Sequence, residues 1–136
     1  MTMRRKNVMT MVAAVYLLLM VTLTFSCCTI KIDVEREVAS AIHSDKPCLE
    51  HVYEDEKWDS VYILLPYQDL HQLGLRISHS DLKSLENLSL ADQYCTLIFG
   101  HKGDLVAYSA IKRSVVDFSN IKGRKFHRGY VFQMKD

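Results

Sequence analysis

The sequence has few of the features that identify an enzyme. It contains no nucleophile motif and no glycine-rich loop that would cradle a phosphate group. It also lacks the paired Cys and His ligands of a structural zinc site. Repeats and low-complexity segments are absent as well. We therefore expect a small non-catalytic domain that holds no cofactor and no metal.

The N-terminal segment, by contrast, has the succession of residue types that is typical of an export signal. Three cationic residues at positions 4–6 precede an apolar run over residues 8–25, and Ser26 then precedes Cys27. A positive start, an apolar stretch and a small residue at its end are typical of a segment that directs export through a membrane. We interpret residues 1–27 as a lipoprotein-type signal peptide or a membrane anchor.

The five residues at positions 23–27, Leu-Thr-Phe-Ser-Cys, resemble the lipobox of bacterial lipoproteins. The resemblance implies that Cys27 is diacylated and becomes the mature N-terminus, with Cys28 as the alternative. Two other interpretations stay open. An uncleaved single-pass anchor in the inner membrane is one, because a largely apolar run of 18 residues spans roughly 27 Å as a helix. Ordinary cleavage and release is the other, although no Ala-x-Ala-like site follows the apolar run.

Charge is distributed unevenly over the remaining residues, 28–136, which suffice for a single domain. Residues 28–60 contain nine acidic and four basic side chains, whereas residues 100–136 contain eight basic and three acidic ones. Internal complementarity between the two ends is the simplest consequence. The sharper alternative is a surface that meets anionic lipid or an acidic envelope protein. Its candidate residues are Lys122, Arg124, Lys125 and Arg128. The export signal argues against a nucleic-acid partner.

Two cysteines, Cys48 and Cys95, lie beyond the signal segment. Thiols in an exported chain often pair. A disulfide across a loop of this length would stabilise the domain by about 4 kcal/mol in the chain-entropy model. Cys95 also lies in an apolar, strand-like run, where a buried free thiol is equally natural. Both interpretations stay open.

The hydrophobic pattern predicts an α+β domain, with an antiparallel sheet of about four strands and one or two helices on one face. Helical spacing predicts helices over residues 32–43 and 80–88, and one or two helical turns over residues 68–73. β-branched and aromatic runs predict the strands, at residues 58–65, 94–99, 105–111 and 127–134. The strand at 58–65 is continuously apolar after Val61, which indicates cover on both faces. Residues 100–104 form the turn of a hairpin.

Histidines offer two weak acid–base or metal groupings. His71, His79 and Asp81 would meet if the chain folded back near Gly74. His43, Cys48 and His51 have a local spacing that resembles a metal site. Asp59 is also notable, as the sole charge between Trp58 and Pro66. A binding surface is expected where exposed tyrosines lie beside the basic loop. The tyrosines in question are Tyr62, Tyr67, Tyr94, Tyr108 and Tyr130.

The whole chain resembles small lipoproteins of Gram-negative bacteria, particularly Bacteroidota. The resemblance is carried by the cysteine-terminated signal, by Trp-Asp-x-Val-Tyr-Ile-x-x-Pro-Tyr at residues 58–67, and by Thr-Leu-Ile-Phe-x-x-x-Gly-x-Leu-Val at residues 96–106. It implies a compact domain in a cell-envelope protein that is lipid-anchored to a membrane. The anchor and the missing catalytic motifs favour a domain that binds a protein or surface component. The alternatives are an immunity or inhibitor lipoprotein, and a small hydrolase or metal-dependent enzyme that uses the histidines.

Overall fold

The computed structural model of the protein describes residues 2–22, 29–54 and 57–134. The helices are α1 (Thr2–Thr22), α2 (Glu35–Ile42) and α3 (His79–Ser89), with a 3₁₀ helix at Leu70–Leu73. The strands are β1 (Ile30–Lys31), β2 (Ser60–Leu64), β3 (Tyr94–His101), β4 (Asp104–Lys112) and β5 (Lys125–His127). The predicted α+β class is therefore confirmed.

The five strands form one mixed sheet in the order β1-β4-β3-β2-β5. β1 runs parallel to β4, whereas the other three neighbouring pairs are antiparallel. The sheet thus has one strand more than the predicted four and one parallel pairing. β1 contains only two residues, which is too short for an alternation of polar and apolar side chains to reveal it.

The sheet has a separate hydrophobic core on each face. Val38 of α2 packs in the same cluster as Phe99 of β3, whereas Leu85 of α3 packs with Ile98, the neighbouring residue of β3. Successive residues of a strand point to opposite faces, so α2 and α3 cover opposite sides of the sheet. The expected cover of β2 on both faces is confirmed. The expectation that the helices share one face is wrong.

β5 is much shorter than the closing strand predicted over residues 127–134. The chain turns after His127, whose carbonyl accepts a hydrogen bond from Tyr130 N (3.1 Å). Tyr130 then packs against both Phe126 and Phe132, with ring centroids 4.8 and 5.0 Å away, and the two phenylalanine rings are 4.9 Å apart. The aromatic spacing that suggested a strand therefore belongs to a cluster of rings.

The β3–β4 hairpin closes through a two-residue turn, inside the turn predicted at residues 100–104. Lys102 (φ 47°) and Gly103 (φ 84°) both have left-handed backbone conformations, as the favoured two-residue hairpin turns require. Gly100, just before the turn, is approached closely from both sides, because a Cβ there would lie 3.1 Å from Tyr62 Cε2 and 3.2 Å from Leu75 Cδ2.

The N-cap of helix α3 lies two residues before the N-cap predicted at Ser80. Ser78 is the N-cap, and its Oγ accepts a hydrogen bond from Asp81 N (3.3 Å) and donates one to Asp81 Oδ2 (2.6 Å). This reciprocal arrangement satisfies a backbone N–H group that would otherwise lack a partner at the start of the helix.

The predicted signal segment coincides in part with α1. Over the described residues, no helix combines the length and hydropathy needed to cross a membrane. Cys27 and Cys28 lie outside the described residues. The role of α1 and the lipidation of either cysteine therefore stay predictions.

Candidate functional site

A cleft of about 620 Å³ lies beside the turn of the β3–β4 hairpin. We call it the hairpin cleft, and its lining includes Thr29, Lys57, Arg76, Ser80, Asp81 and His101. These residues come from the segment before β1, the loop before β2, the start of α3 and the hairpin itself. Of these six residues, only Asp81 is among the predicted site residues, and the prediction groups it with His71 and His79.

Arg76 is held in the cleft by the turn of the hairpin. Its backbone N–H donates to Gly103 O (2.8 Å), and Leu105 N–H donates back to Arg76 O (3.3 Å). The guanidinium donates from Nε to Asp104 Oδ1 (2.6 Å) and from Nη2 to Lys102 O (3.0 Å). The hydrogen bond from Arg76 lowers the pKa of the Asp104 carboxyl. Both side chains are largely exposed, so the pair positions the hairpin more than it stabilises the fold.

Asp59 and His101 meet at the other side of the hairpin turn. Asp59 Oδ2 accepts a hydrogen bond from Lys102 N (2.9 Å), and Oδ1 accepts one from Ser60 Oγ (2.8 Å). Both hydrogen bonds lower the pKa of Asp59, and the bond from Lys102 has the larger effect. His101 Nδ1 lies 3.5 Å from Asp59 Oδ2, which suits an ion pair with a protonated imidazole but is long for a hydrogen bond.

This pair is an orienting contact rather than a catalytic arrangement. Among the described residues His101 Nδ1 has no hydrogen-bond partner, so Asp59 does not fix a tautomer of the ring. The hydroxyl of Ser60 donates to Asp59 rather than to the imidazole. A nucleophile activated by a base would need the reverse arrangement. Asp59, notable in the sequence as a lone charge, thus fastens the hairpin to β2.

The four predicted partner-surface residues have two different roles. Arg124 is half-buried and donates from Nη1 to Ile121 O (2.9 Å), which shapes its own loop. Arg128 is half-buried too, with its guanidinium 4.5 Å from the centre of the Trp58 ring. Lys122 and Lys125 are exposed. Only these two lysines offer charge to a partner.

Tyr67 is the one predicted tyrosine that is largely exposed, at 66%. It occupies the third position of a turn in which Gln68 N–H donates to Leu65 O (3.3 Å), and its φ is 63°. Tyr67 N–H donates to Ser89 O (2.7 Å), which places it next to Leu90, itself 65% exposed. We call Tyr67 and Leu90 the Tyr67 patch.

The Tyr67 patch and the loop that contains Lys122 lie at the same end of the sheet, whereas Lys125 lies in the middle of the sheet, with its Nζ 5.6 Å from the centre of the Tyr62 ring. β5 is antiparallel to β2, with Lys125 opposite Tyr62, and Ile63 N–H donates to Arg124 O (2.8 Å). The loop before β5 therefore lies at the end towards which β2 runs as it continues to Tyr67. The hairpin turn is at the other end, because Ser60 at the start of β2 is opposite Gly100.

The predicted histidine groupings are not brought together into a metal site. No group of three or more His, Cys, Asp or Glu residues in the described part of the chain is placed to hold a metal ion. Cys48 and His51 line one depression of about 610 Å³, whereas His43 lines another beside Phe132. In the grouping of His71, His79 and Asp81, the Asp81 carboxylate accepts a hydrogen bond from Ser78, the N-cap of α3.

The two cysteines of the domain are both free in the structure. Cys95 is buried in the core on the α2 side of the sheet, and burial raises the pKa of its thiol to about 12. Cys48 is half-buried, and its Sγ lies 3.9 Å from Arg128 O. The disulfide stays a prediction, and the apolar surroundings of Cys95 favour the alternative of a buried thiol.

The comparison with known proteins adds nothing to these geometric observations. No family model, no curated protein and no solved structure matches the chain.

Proposed function

We propose that this protein is a lipoprotein of a bacterial cell envelope, tethered through a lipid on Cys27, whose domain binds another envelope protein or surface component. The observation that carries the proposal is the cationic start and apolar run that end at Ser26-Cys27, immediately before the domain. Cys28 is the alternative lipid site. The binding role is non-catalytic.

Helix α1 supports a membrane-associated fate for the N-terminal segment. Its side chains at residues 7–18 are all exposed, including Met9 (78%), Leu17 (73%) and Leu18 (71%). A helix that is apolar all round is stable only where apolar surroundings cover it. None of these described side chains is buried against the domain, which agrees with a segment that is covered by a bilayer or removed on export.

We assign the partner surface to the Tyr67 patch together with Lys122, which lies at the same end of the sheet, and not to Lys125, which lies over the Tyr62 ring. Exposed tyrosines often act as anchors at interfaces, because they bury a large ring at small entropic cost and keep a polar tip. The backbone of Tyr67 has a conformation that costs a non-glycine residue on the order of 1 kcal/mol. A large side chain at a position that favours glycine supports a role beyond folding.

The intact mass of the membrane-extracted protein tests the tether. We expect a chain that begins at Cys27 and carries diacylglycerol, with or without an additional amide-linked acyl chain. Cys27→Ser should abolish the lipid, and Cys28→Ser, the matched control, should leave it in place. Cleavage without lipid would contradict the tether, and so would retention of Met1 with the apolar run.

Photo-crosslinking tests the binding surface. With a photoreactive phenylalanine analogue at Tyr67, we expect light to produce a discrete adduct in intact cells. The same analogue at Gln72, which is exposed on the 3₁₀ helix, is the control and should give none. Equal crosslinking at the two positions would show that the Tyr67 patch is not a specific partner surface.

A further inference from the structure

The proposed lipid leaves the domain almost no linker. Only Cys28 separates Cys27 from Thr29, which is the first described residue after α1, and β1 begins at Ile30. Since a residue spans at most about 3.6 Å, the Cα atoms of Cys27 and Thr29 lie within about 7 Å of each other. A lipidated Cys27 would therefore hold one particular part of the domain against the bilayer.

That part is the hairpin end of the sheet. Ile30 is opposite Ala107 and Lys31 is opposite Tyr108, in a parallel pairing. The residue before Ile30 therefore points back along β4 towards the hairpin turn, and Thr29 lines the hairpin cleft. The polar layer on each side of a bilayer is about 5–8 Å thick, so the cleft would open onto the lipid headgroups.

The chemistry of the hairpin cleft suits headgroups rather than acyl chains. Its rim has the cations Lys57 and Arg76 together with the hydroxyl of Ser80, all three of them exposed. Two carboxylates line the cleft as well: Asp104 is paired with Arg76, and Asp81 accepts a hydrogen bond from Ser78 Oγ. A lining with both signs of charge matches a phosphate group that carries an amine, since cations and hydroxyls bind the phosphate and carboxylates bind the ammonium.

The apolar side chains in the cleft lining are largely covered by the domain, whereas Ile30, next to Thr29, is 52% exposed. Leu105 in the cleft lining is buried, and Val106 is half-buried, so neither offers a large apolar surface for insertion. The exposed Tyr67 and Leu90 lie at the opposite end of the sheet. Helix α3 connects the two ends, from His79 beside the cleft to Ser89 beside the Tyr67 patch, and its eleven residues span roughly 16 Å.

We infer that the hairpin cleft is the membrane-facing surface of the domain and binds the headgroups of aminophospholipids in the leaflet that holds the lipid. The Tyr67 patch is then directed away from that membrane, towards an approaching partner. The inference rests on the proposed lipid at Cys27, because the short connection to Thr29 is what orients the domain.

Two fluorescent probes on α3 measure this orientation. Ser80→Cys places a thiol at the cleft, and Asn87→Cys places one on the same helix face two turns further along, since both native side chains are exposed. Each change is made in the full chain with Cys28→Ser and Cys48→Ser, so that the probe reacts at a single accessible site. The lipidated protein is reconstituted in phosphatidylethanolamine–phosphatidylglycerol vesicles that contain a headgroup-linked nitroxide quencher.

The probe at position 80 should be quenched about twofold or more relative to the probe at position 87, because the two lie about 10 Å apart along the helix. Replacing Lys57 by Gln should reduce this ratio of quenching. Lys83→Gln should not, because Lys83 is exposed but lies outside the cleft lining. Equal quenching, or stronger quenching at position 87, in a protein whose mass shows the lipid would overturn the inference and leave the proposed tether intact. A mass without lipid would remove both.

Discussion

Tyr67 has the backbone conformation that a turn of this type normally reserves for glycine. Pro66 precedes it in the turn that begins at Leu65, and Pro followed by a residue with positive φ is the signature of a type II turn. The Tyr67 hydroxyl forms a hydrogen bond with Asp92, which raises the pKa of the phenol. The side chain is thus held in place while most of it stays exposed.

This geometry predicts an unusual order of stabilities at position 67. Alanine would keep the left-handed conformation without the bond to Asp92, whereas glycine adopts that conformation without steric cost. We expect Tyr67→Gly to be more stable than Tyr67→Ala by about 1 kcal/mol. Urea unfolding of the two variants measures the difference, and an alanine variant at least as stable as the glycine variant would rule out the positive φ.

The two cysteines of the domain should differ sharply in reactivity. The thiolate is the reactive form, and the pKa of Cys95 is raised to about 12 by its burial. We expect a thiol reagent at neutral pH to modify Cys48 and to leave Cys95 unmodified until the protein is unfolded. The measurement is peptide mass mapping on the lipidated protein with Cys28→Ser.

A disulfide would give a different result in the same experiment. Neither Cys48 nor Cys95 would react before reduction, and the mass would rise on treatment with a reductant. Rapid modification of Cys95 in the native protein would contradict the buried position instead.

At the scale of elements, the sequence predicted local structure well and non-local structure poorly. The hairpin depends on neighbouring residues and on the turn at Lys102-Gly103, so its position could be predicted. The parallel pairing of Ile30 with Ala107 joins residues far apart in the chain, and no local pattern indicates it. For the same reason Thr29 and Arg76, which come together in the hairpin cleft, could not be predicted as neighbours.

The helices illustrate the same division. The pattern over residues 32–43 contains a helix, but the structure begins α2 only at Glu35, because the residues before it continue towards β4. Ile32 N–H donates to Tyr108 O (2.9 Å), and Val34 N–H donates to Ser109 Oγ (3.3 Å). These bonds hold the segment before Glu35 at the edge of the sheet, where tertiary contacts override helical periodicity.

At the scale of the whole molecule, the charged side chains form local contacts, and the uneven distribution of charge along the sequence does not form one basic surface. Half of the predicted basic surface, Arg124 and Arg128, binds backbone carbonyl oxygens within the domain. Of the exposed remainder, Lys122 lies in the loop before β5, at the end opposite the hairpin cleft, whereas Lys125 is opposite Tyr62 in the middle of the sheet. A lipid at Cys27 would therefore separate a headgroup-facing end from a partner-facing end, a polarity that net charge does not reveal.

The carboxylates that fasten the hairpin also predict how the domain responds to acid. The pKa of Asp59 is lowered chiefly by the backbone N–H of Lys102, and that of Asp104 by Arg76. Both carboxyls bind protons less tightly in the folded chain than in the unfolded chain, whose aspartates titrate near pH 4, so unfolding takes up protons. Their contribution is fully present above about pH 5 and is lost as the pH falls through the lowered pKa values.

We therefore expect the midpoint of urea unfolding to stay level from about pH 7 to 5 and to decrease below about pH 4. Asp59→Asn keeps an oxygen that can accept from Lys102 N–H but removes the charge, so the variant should be less stable than the native chain at pH 7. It should also lose less stability on acidification, because one of the titrating groups has gone. If the variant and the native chain show the same dependence on pH, Asp59 does not couple the hairpin to the fold through its charge, and its role reduces to that of a neutral hydrogen-bond acceptor.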